Sequence, residues 1–180
     1  MTPEDGQRFP PVPVILKNGK PAVIRPLEAG DAESLAAFYA AIPRKDIRFY
    51  NPHPLTRDMA LKNAAAALSP CEVVLVLAVE GGIGGYAWYR WNINAPSSGF
   101  GICIHMDFQD SGAGRKLMTR LLEIARTVGP PVMHLTVQKA NARAFALYSS
   151  MGFKVVREQM VGARAEFAAE PEYYMEWKAP

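Results

Sequence analysis

Apolar and polar positions follow different periods along this chain, and each change of period marks an element. Residues 72–79 are a nearly unbroken apolar run of strand length, ended by Gly81-Gly82. That pattern predicts a buried strand and a tight turn into a second, aromatic-rich strand over 83–92. Residues 13–27 read as two short strands about Asn18-Gly19, a favoured hairpin dipeptide. A helix is predicted over 30–42, with Asp31 as N-cap and Leu35, Phe38 and Tyr39 on one face. Residues 44–54 read as a polar and aromatic connection. A second helix follows over 55–68, capped by Thr56. After a polar turn at 94–99, a strand is predicted over 100–106. Leu117, Met118, Leu121, Leu122 and Ala125 then repeat with the period of a helix. Residues 131–137 form the next strand, and 141–151 a short helix with Asn141 as cap and Gly152 as stop. Residues 153–159 and 172–178 close the chain as a strand pair. The order is that of a mixed α/β single domain.

Composition narrows the class. The 180 residues are 49% hydrophobic, enough for one domain with a real core. Residues 1–13 are proline-rich and lack a basic segment followed by an apolar one, so they read as a flexible arm and not a signal peptide. The domain is expected over 14–180. No apolar run approaches the roughly 20 residues of a membrane span. A net charge of +3 is too small to imply a nucleic-acid surface, yet it suits an anionic ligand. Cys71 and Cys103 sit in apolar runs and read as reduced thiols of a cytoplasmic protein. His53, His105 and His134 are dispersed, so no metal site is expected.

Between a strand and a helix stands Gln109-Asp110-Ser111-Gly112-Ala113-Gly114-Arg115-Lys116. A helix start carries unpaired N–H groups and the positive end of the helix dipole. Glycines let that backbone close on an anion, and phosphate fits such a nest. Neither a Gly-x-Gly-x-x-Gly fingerprint nor a Gly-Lys-Ser/Thr P-loop is present. Taken alone, the glycines could equally serve the turn itself, or a nucleotide-binding α/β protein.

A second motif separates these readings. Asn141, Ala144, Tyr148, Gly152 and Phe153 follow at helical spacing, with Asn141 and Tyr148 two turns apart on one face. Together, Gln109-x-x-Gly112-x-Gly114 and Asn141-x-x-Ala144-x-x-x-Tyr148-x-x-x-Gly152-Phe153 resemble the paired motifs of the GNAT family of acetyl-CoA-dependent N-acetyltransferases. The likeness extends over roughly residues 14–177. The stretch 46–56 is similar to the bacterial protein-lysine acetyltransferase branch.

The resemblance implies an α/β (α+β) fold: a mixed, mostly antiparallel twisted sheet of about seven strands with helices on both faces, splayed between the fourth and fifth strands. It implies acetyl-CoA as co-substrate, without metal. The pantetheine arm would lie along the backbone at Cys103, Ile104 and Met106. The pyrophosphate would sit on Gln109, Asp110, Ser111, Gly112, Ala113, Gly114, Arg115 and Lys116. Asn141 would cap its helix and reach the arm. Tyr148 would meet the cofactor sulfur and protonate the thiolate that leaves when an amine attacks the thioester. The acceptor would be a primary amine, on a small molecule or a protein lysine. A homodimer is compatible with the resemblance, whereas nucleic acid and membrane are not expected partners. A non-catalytic acyl-CoA sensor on the same fold is the alternative function.

The general base is not evident. Many relatives carry a glutamate near the start of the strand before the loop, where this chain has Ser97-Ser98-Gly99-Phe100. His105 has a suitable pKa class, but strand alternation turns it away from Ile104 and Met106. Glu80 precedes the Gly-Gly turn and reads as exposed, so deprotonation through water is expected. Among the aromatics of 83–92, one of the pairs Tyr86/Trp88 and Tyr89/Trp91 is expected in the core. The other is a candidate for the acceptor slot.

Overall fold

The run at 72–79 is apolar at almost every position because both faces of its strand are covered. In this computed structural model, which describes residues 9–50, 52–67, 69–163 and 167–179, strand β3 spans Glu72–Val79. Its Val73, Leu75 and Leu77 enter one core. Val74 and Val76 enter the other. A strand buried on both sides loses the alternation that marks a half-exposed one.

The remaining strands are β1 Val12–Ile15, β2 Pro21–Pro26, β4 Gly82–Arg90, β5 Ser97–Ile104, β6 Val132–Gln138, β7 Lys154–Val161 and β8 Glu170–Lys178. They form one sheet in the order β1-β2-β3-β4-β5-β6-β8-β7. Every pairing is antiparallel except β5 with β6. The eight strands compare with about seven expected. The N-terminal hairpin contributes one at the edge, so the splayed pair is the fifth and sixth in chain order. The arm expected over 1–13 lies mostly outside the described residues, and β1 begins at Val12.

Helices α1 (Ala32–Ala40), α2 (Arg44–Ile47) and α3 (Arg57–Ala65) precede β3; α4 (Ala113–Ala125) and α5 (Ala142–Ser150) flank β6. The α4 stripe Leu117, Met118, Leu121, Leu122, Ile124 and Ala125 packs on one face of the sheet. Leu35, Phe38 and Tyr39 of α1, with Ala60 of α3, cover the other. Each fully buried leucine there contributes about 1.5–3 kcal/mol.

Caps follow the sequence at two helices and not at a third. The Thr56 hydroxyl accepts from the Met59 amide at 3.3 Å, and Asn141 Oδ1 accepts from the Ala144 amide at 3.2 Å. Asp31 does not cap α1. A 3-10 turn over Ala29–Asp31 intervenes. Asp31 instead accepts two hydrogen bonds from the Arg25 guanidinium, both 2.7 Å, and one from the Glu28 amide at 2.9 Å. Burial alone would raise that carboxyl; the bonds from Arg25 and Glu28 outweigh it and hold it below the usual range.

Candidate active site

The sheet opens where β5 parts from β6. The two strands pair only at Ser97–Val132, Ser98–Met133 and Gly99–His134. The polar residues 97–99, expected as turn, therefore begin β5 and make its whole contact with β6. Ser98 is buried there, its hydroxyl 3.4 Å from the Val132 carbonyl. On its other side β5 stays laddered to β4 as far as Ile104, opposite Gly85. Beyond Gly99, one edge of β5 faces a gap instead of a strand.

A cavity of about 450 Å³ occupies that gap. Ile102, Cys103 and Ile104 of β5 line it. The loop residues Gln109, Asp110, Gly112, Gly114 and Arg115 close one end, and Asn141, the cap of α5, forms a wall with Ala144, Leu147 and Tyr148 of that helix. Both sequence motifs thus border one space. The side chains of Met106, Ser111, Ala113 and Lys116 are not among its lining. Met106 is half-exposed in a 3-10 turn over Met106–Phe108, because β5 ends at Ile104 and does not run on to 106. The buried Ser111 hydroxyl donates to the Phe108 carbonyl at 2.6 Å, and its carbonyl accepts from the Lys17 amide at 2.8 Å. Ala113 is buried in the core.

The loop end is cationic. Lys17, Arg115 and Arg143 line it; Asp110, also there, lies 3.4 Å from Arg143. Arg115 is held by the Ser150 hydroxyl at 2.8 Å. Gln109 Nε2 donates to the Ile104 carbonyl at 3.3 Å, fastening the loop to the end of β5. Gly112 precedes α4 with φ of 83°. The Lys116 amide, bonded to the Gly112 carbonyl at 3.0 Å, closes the first turn of α4. The Ala113 amide donates to the Ser111 hydroxyl oxygen at 3.4 Å, and those of Gly114 and Arg115 are the orphan donors of a helix start. A Cβ on Gly112 or Gly114 would meet protein atoms only at ordinary contact distance, 3.4 Å or more. The protein itself thus requires glycine for backbone reasons at 112, and at 114 only the cavity would lose space.

Tyr148 is 8% exposed and borders the cavity. Its ring meets Phe100 edge-on at 5.9 Å, and its hydroxyl has no hydrogen-bond partner among the described residues. Burial, with Cys103 adding to it, raises the phenol above its ordinary value. It is therefore protonated at neutral pH. Burial, with Asp46 adding to it, likewise pushes the Cys103 thiol up to about 12.

The far end of the cavity was not legible in the sequence. Ile42, Asp46, Phe49 and Tyr50 line it. Asp46, Phe49 and Tyr50 come from the stretch expected as a polar and aromatic connection, where the four-residue α2 is too short to show a helical period; Ile42 ends the helix expected over 30–42. Asp46 supplies a carboxylate that the β5 start lacks. His105 is not in the lining: its Nδ1 accepts from the Asp107 amide at 3.2 Å and its ring packs on Phe108. Glu80 is exposed. Neither of the aromatic pairs of 83–92 lines the cavity. Tyr86 and Trp88 lie in one core, while Tyr89 stacks on Trp91 at 5.4 Å on the other face. Both faces of β4 are covered, so neither pair is left for an acceptor slot.

Comparison with known proteins places this arrangement. The model of the acetyltransferase (GNAT) family matches residues 37–153. The L-amino acid N-acyltransferase MnaT of Escherichia coli (strain K12) is 28% identical over 148 residues, 80% of this chain and 86% of that protein. The [ribosomal protein bS18]-alanine N-acetyltransferase of Salmonella typhimurium is 43% identical over 54 residues, 30% of this chain and 36% of that one. The solved structure of yncA, a putative acetyltransferase from Salmonella typhimurium with its cofactor acetyl-CoA, superposes with a TM-score of 0.72 at 24% identity. It covers 88% of this chain and 94% of its own. With the family model spanning both motifs and most of the chain, this protein belongs to the GNAT family of acyltransferases.

Proposed function

We propose that the chain is an N-acetyltransferase that moves an acetyl group from acetyl-CoA to a primary amine by direct attack, with Tyr148 as general acid. The observation that carries this reading is the cavity where β5 and β6 part, bordered at once by the glycine loop, Asn141 and Tyr148. An extended thioester with a phosphate end fits such a space. The unpaired edge of β5 offers backbone groups to pantetheine amides, as a strand would. The α4 start, with Lys17, Arg115 and Arg143, offers charge to a pyrophosphate. Asn141 Oδ1 is spent on its cap, which leaves its amide group for the cavity.

In the reaction the amine nitrogen bonds to the acetyl carbon, the carbon–sulfur bond breaks, and the sulfur takes a proton. The Tyr148 hydroxyl, protonated and without a hydrogen-bond partner among the described residues, is suited to supply it. The relatives named above act on an L-amino acid and on the alanine of a ribosomal protein. The acceptor here is accordingly a small amine or a protein amine, entering from the Asp46 and Tyr50 end.

The test is release of thiol from acetyl-CoA with a panel of amino acids, polyamines and lysine peptides. Amine-dependent release is expected. Tyr148→Phe should keep acetyl-CoA affinity and lose about 10²- to 10⁴-fold in turnover. Binding of acetyl-CoA without amine-dependent release would instead identify a sensor.

A further inference from the structure

At the acceptor end of the cavity, the Tyr50 hydroxyl is the meeting point of three groups. Trp88 Nε1 donates to it at 2.9 Å. His53 Nε2 lies 2.9 Å from it. His53 Nδ1 lies 3.0 Å from the Pro54 carbonyl. The proton inventory fixes every direction in this chain. An indole N–H can only donate and a carbonyl can only accept. His53 Nδ1 must therefore carry its proton toward Pro54, and Nε2 must present its lone pair. Tyr50 then accepts from Trp88, donates to His53, and keeps one lone pair free.

Tyr50 is 7% exposed and lines the cavity with Asp46, Phe49 and Cys103. The packing around the chain is dense. The His53 ring lies 5.2 Å from the Tyr50 ring, 5.7 Å from Tyr39, 6.1 Å from Tyr86 and 6.2 Å from Trp88. The field of the Arg90 guanidinium reaches the ring, and Glu72, Asn63 and the Tyr86 hydroxyl hold that guanidinium. A Cβ on Gly101 would come within 2.6 Å of the Trp88 ring, so that glycine is what seats the indole under Tyr50. The Pro54 end of the chain is exposed.

Resting on the acetyltransferase reading, we propose that Tyr50 and His53 form the path by which the incoming ammonium loses its proton. The amine N–H bond breaks as a Tyr50 O–H bond forms, and the original Tyr50 O–H proton passes to His53 Nε2. The net change is ammonium plus imidazole to amine plus imidazolium. Once the product has left, the Nε2 proton returns through the Tyr50 hydroxyl to water in the open cavity, which restores the phenol and the Nδ1–H ring. Tyr50 touches the amine in this scheme and is the catalytic residue, whereas His53 acts through it as a positioning residue and proton acceptor. The path supplies the base that neither the β5 start nor His105 provides.

Two measurements test it. Nitrogen NMR of the histidine rings in the wild-type protein should show His53 as the Nδ1–H tautomer at neutral pH. Steady-state turnover is then followed from pH 5.5 to 9.5, with acetyl-CoA and an L-amino acid as acceptor. Wild-type kcat should level off above the His53 titration. Tyr50→Phe and His53→Ala should lose about 10²-fold at pH 7 and recover as the pH nears that of the free amine. The KM for acetyl-CoA should stay constant. Imidazole in the buffer should restore His53→Ala and not Tyr50→Phe. An Nε2–H tautomer, or a loss equal at every pH, overturns the relay while leaving the acetyltransferase intact. Absence of wild-type turnover with any amine overturns both.

Discussion

Gly112 and Gly114 stand two residues apart in one loop and answer to different demands. At 112 the backbone is left-handed, a conformation that costs a residue with a Cβ about 1–2 kcal/mol. At 114 the residue is inside α4, where alanine is the better helix former by up to about 1 kcal/mol. Gly112→Ala should therefore lower stability in urea by about 1–2 kcal/mol, and Gly114→Ala should leave it equal or slightly raised. The sequence showed the pair of glycines but not this division, which depends on φ and on what a Cβ would touch. Its spacing puts Asn141 and Tyr148 on one side of one helix, and both border the cavity, because two turns bring the cap and Tyr148 into line. It was silent on Asp46 and Tyr50, whose place in the cavity comes from packing between distant segments.

Elements show the same boundary between local and tertiary information. Two caps were legible because Thr56 and Asn141 bond amides three residues on. Asp31 has the residue type of a cap but does not serve as one, because Arg25, on β2, claims its carboxylate. The two true caps provide an internal comparison. Thr56→Ala and Asn141→Ala should each cost about 1 kcal/mol by urea denaturation. Only Asn141→Ala, on the cavity wall, should also weaken acetyl-CoA binding by calorimetry. An equal loss of affinity in both would reduce the Asn141 contribution to helix stability alone. The start of β5 reads as turn in the sequence because Ser97-Ser98-Gly99 has no apolar signal. Its strand character is imposed by β4 on one side and three residues of β6 on the other.

Over the whole molecule, the central strands of the sheet are covered on both faces and the sheet is split along one seam, and both facts have measurable consequences. Two half-buried histidines have pKa values below the ordinary one. For His53 burial is the main cause and Arg90 adds to it; for His134 burial leads and Arg157 adds to it. The folded state then binds fewer protons than the unfolded chain on the acid side of about 6.5. Stability should be level above that pH and fall as the pH drops from there through the two folded values. Urea midpoints at pH 7.5 and 5.5 measure the difference, and replacing both histidines with glutamine should reduce it. The central claim concerns the seam: the gap between β5 and β6 holds acetyl-CoA, with its pyrophosphate on the start of α4. Calorimetric titration of acetyl-CoA into the wild-type protein and into Gly114→Glu tests it most directly. The substitution puts a side chain and a negative charge into the cavity at a helical position with ordinary backbone. The account predicts binding to the wild type and its loss in a variant with unchanged circular dichroism. Equal affinity in the two, with the fold intact, would contradict it.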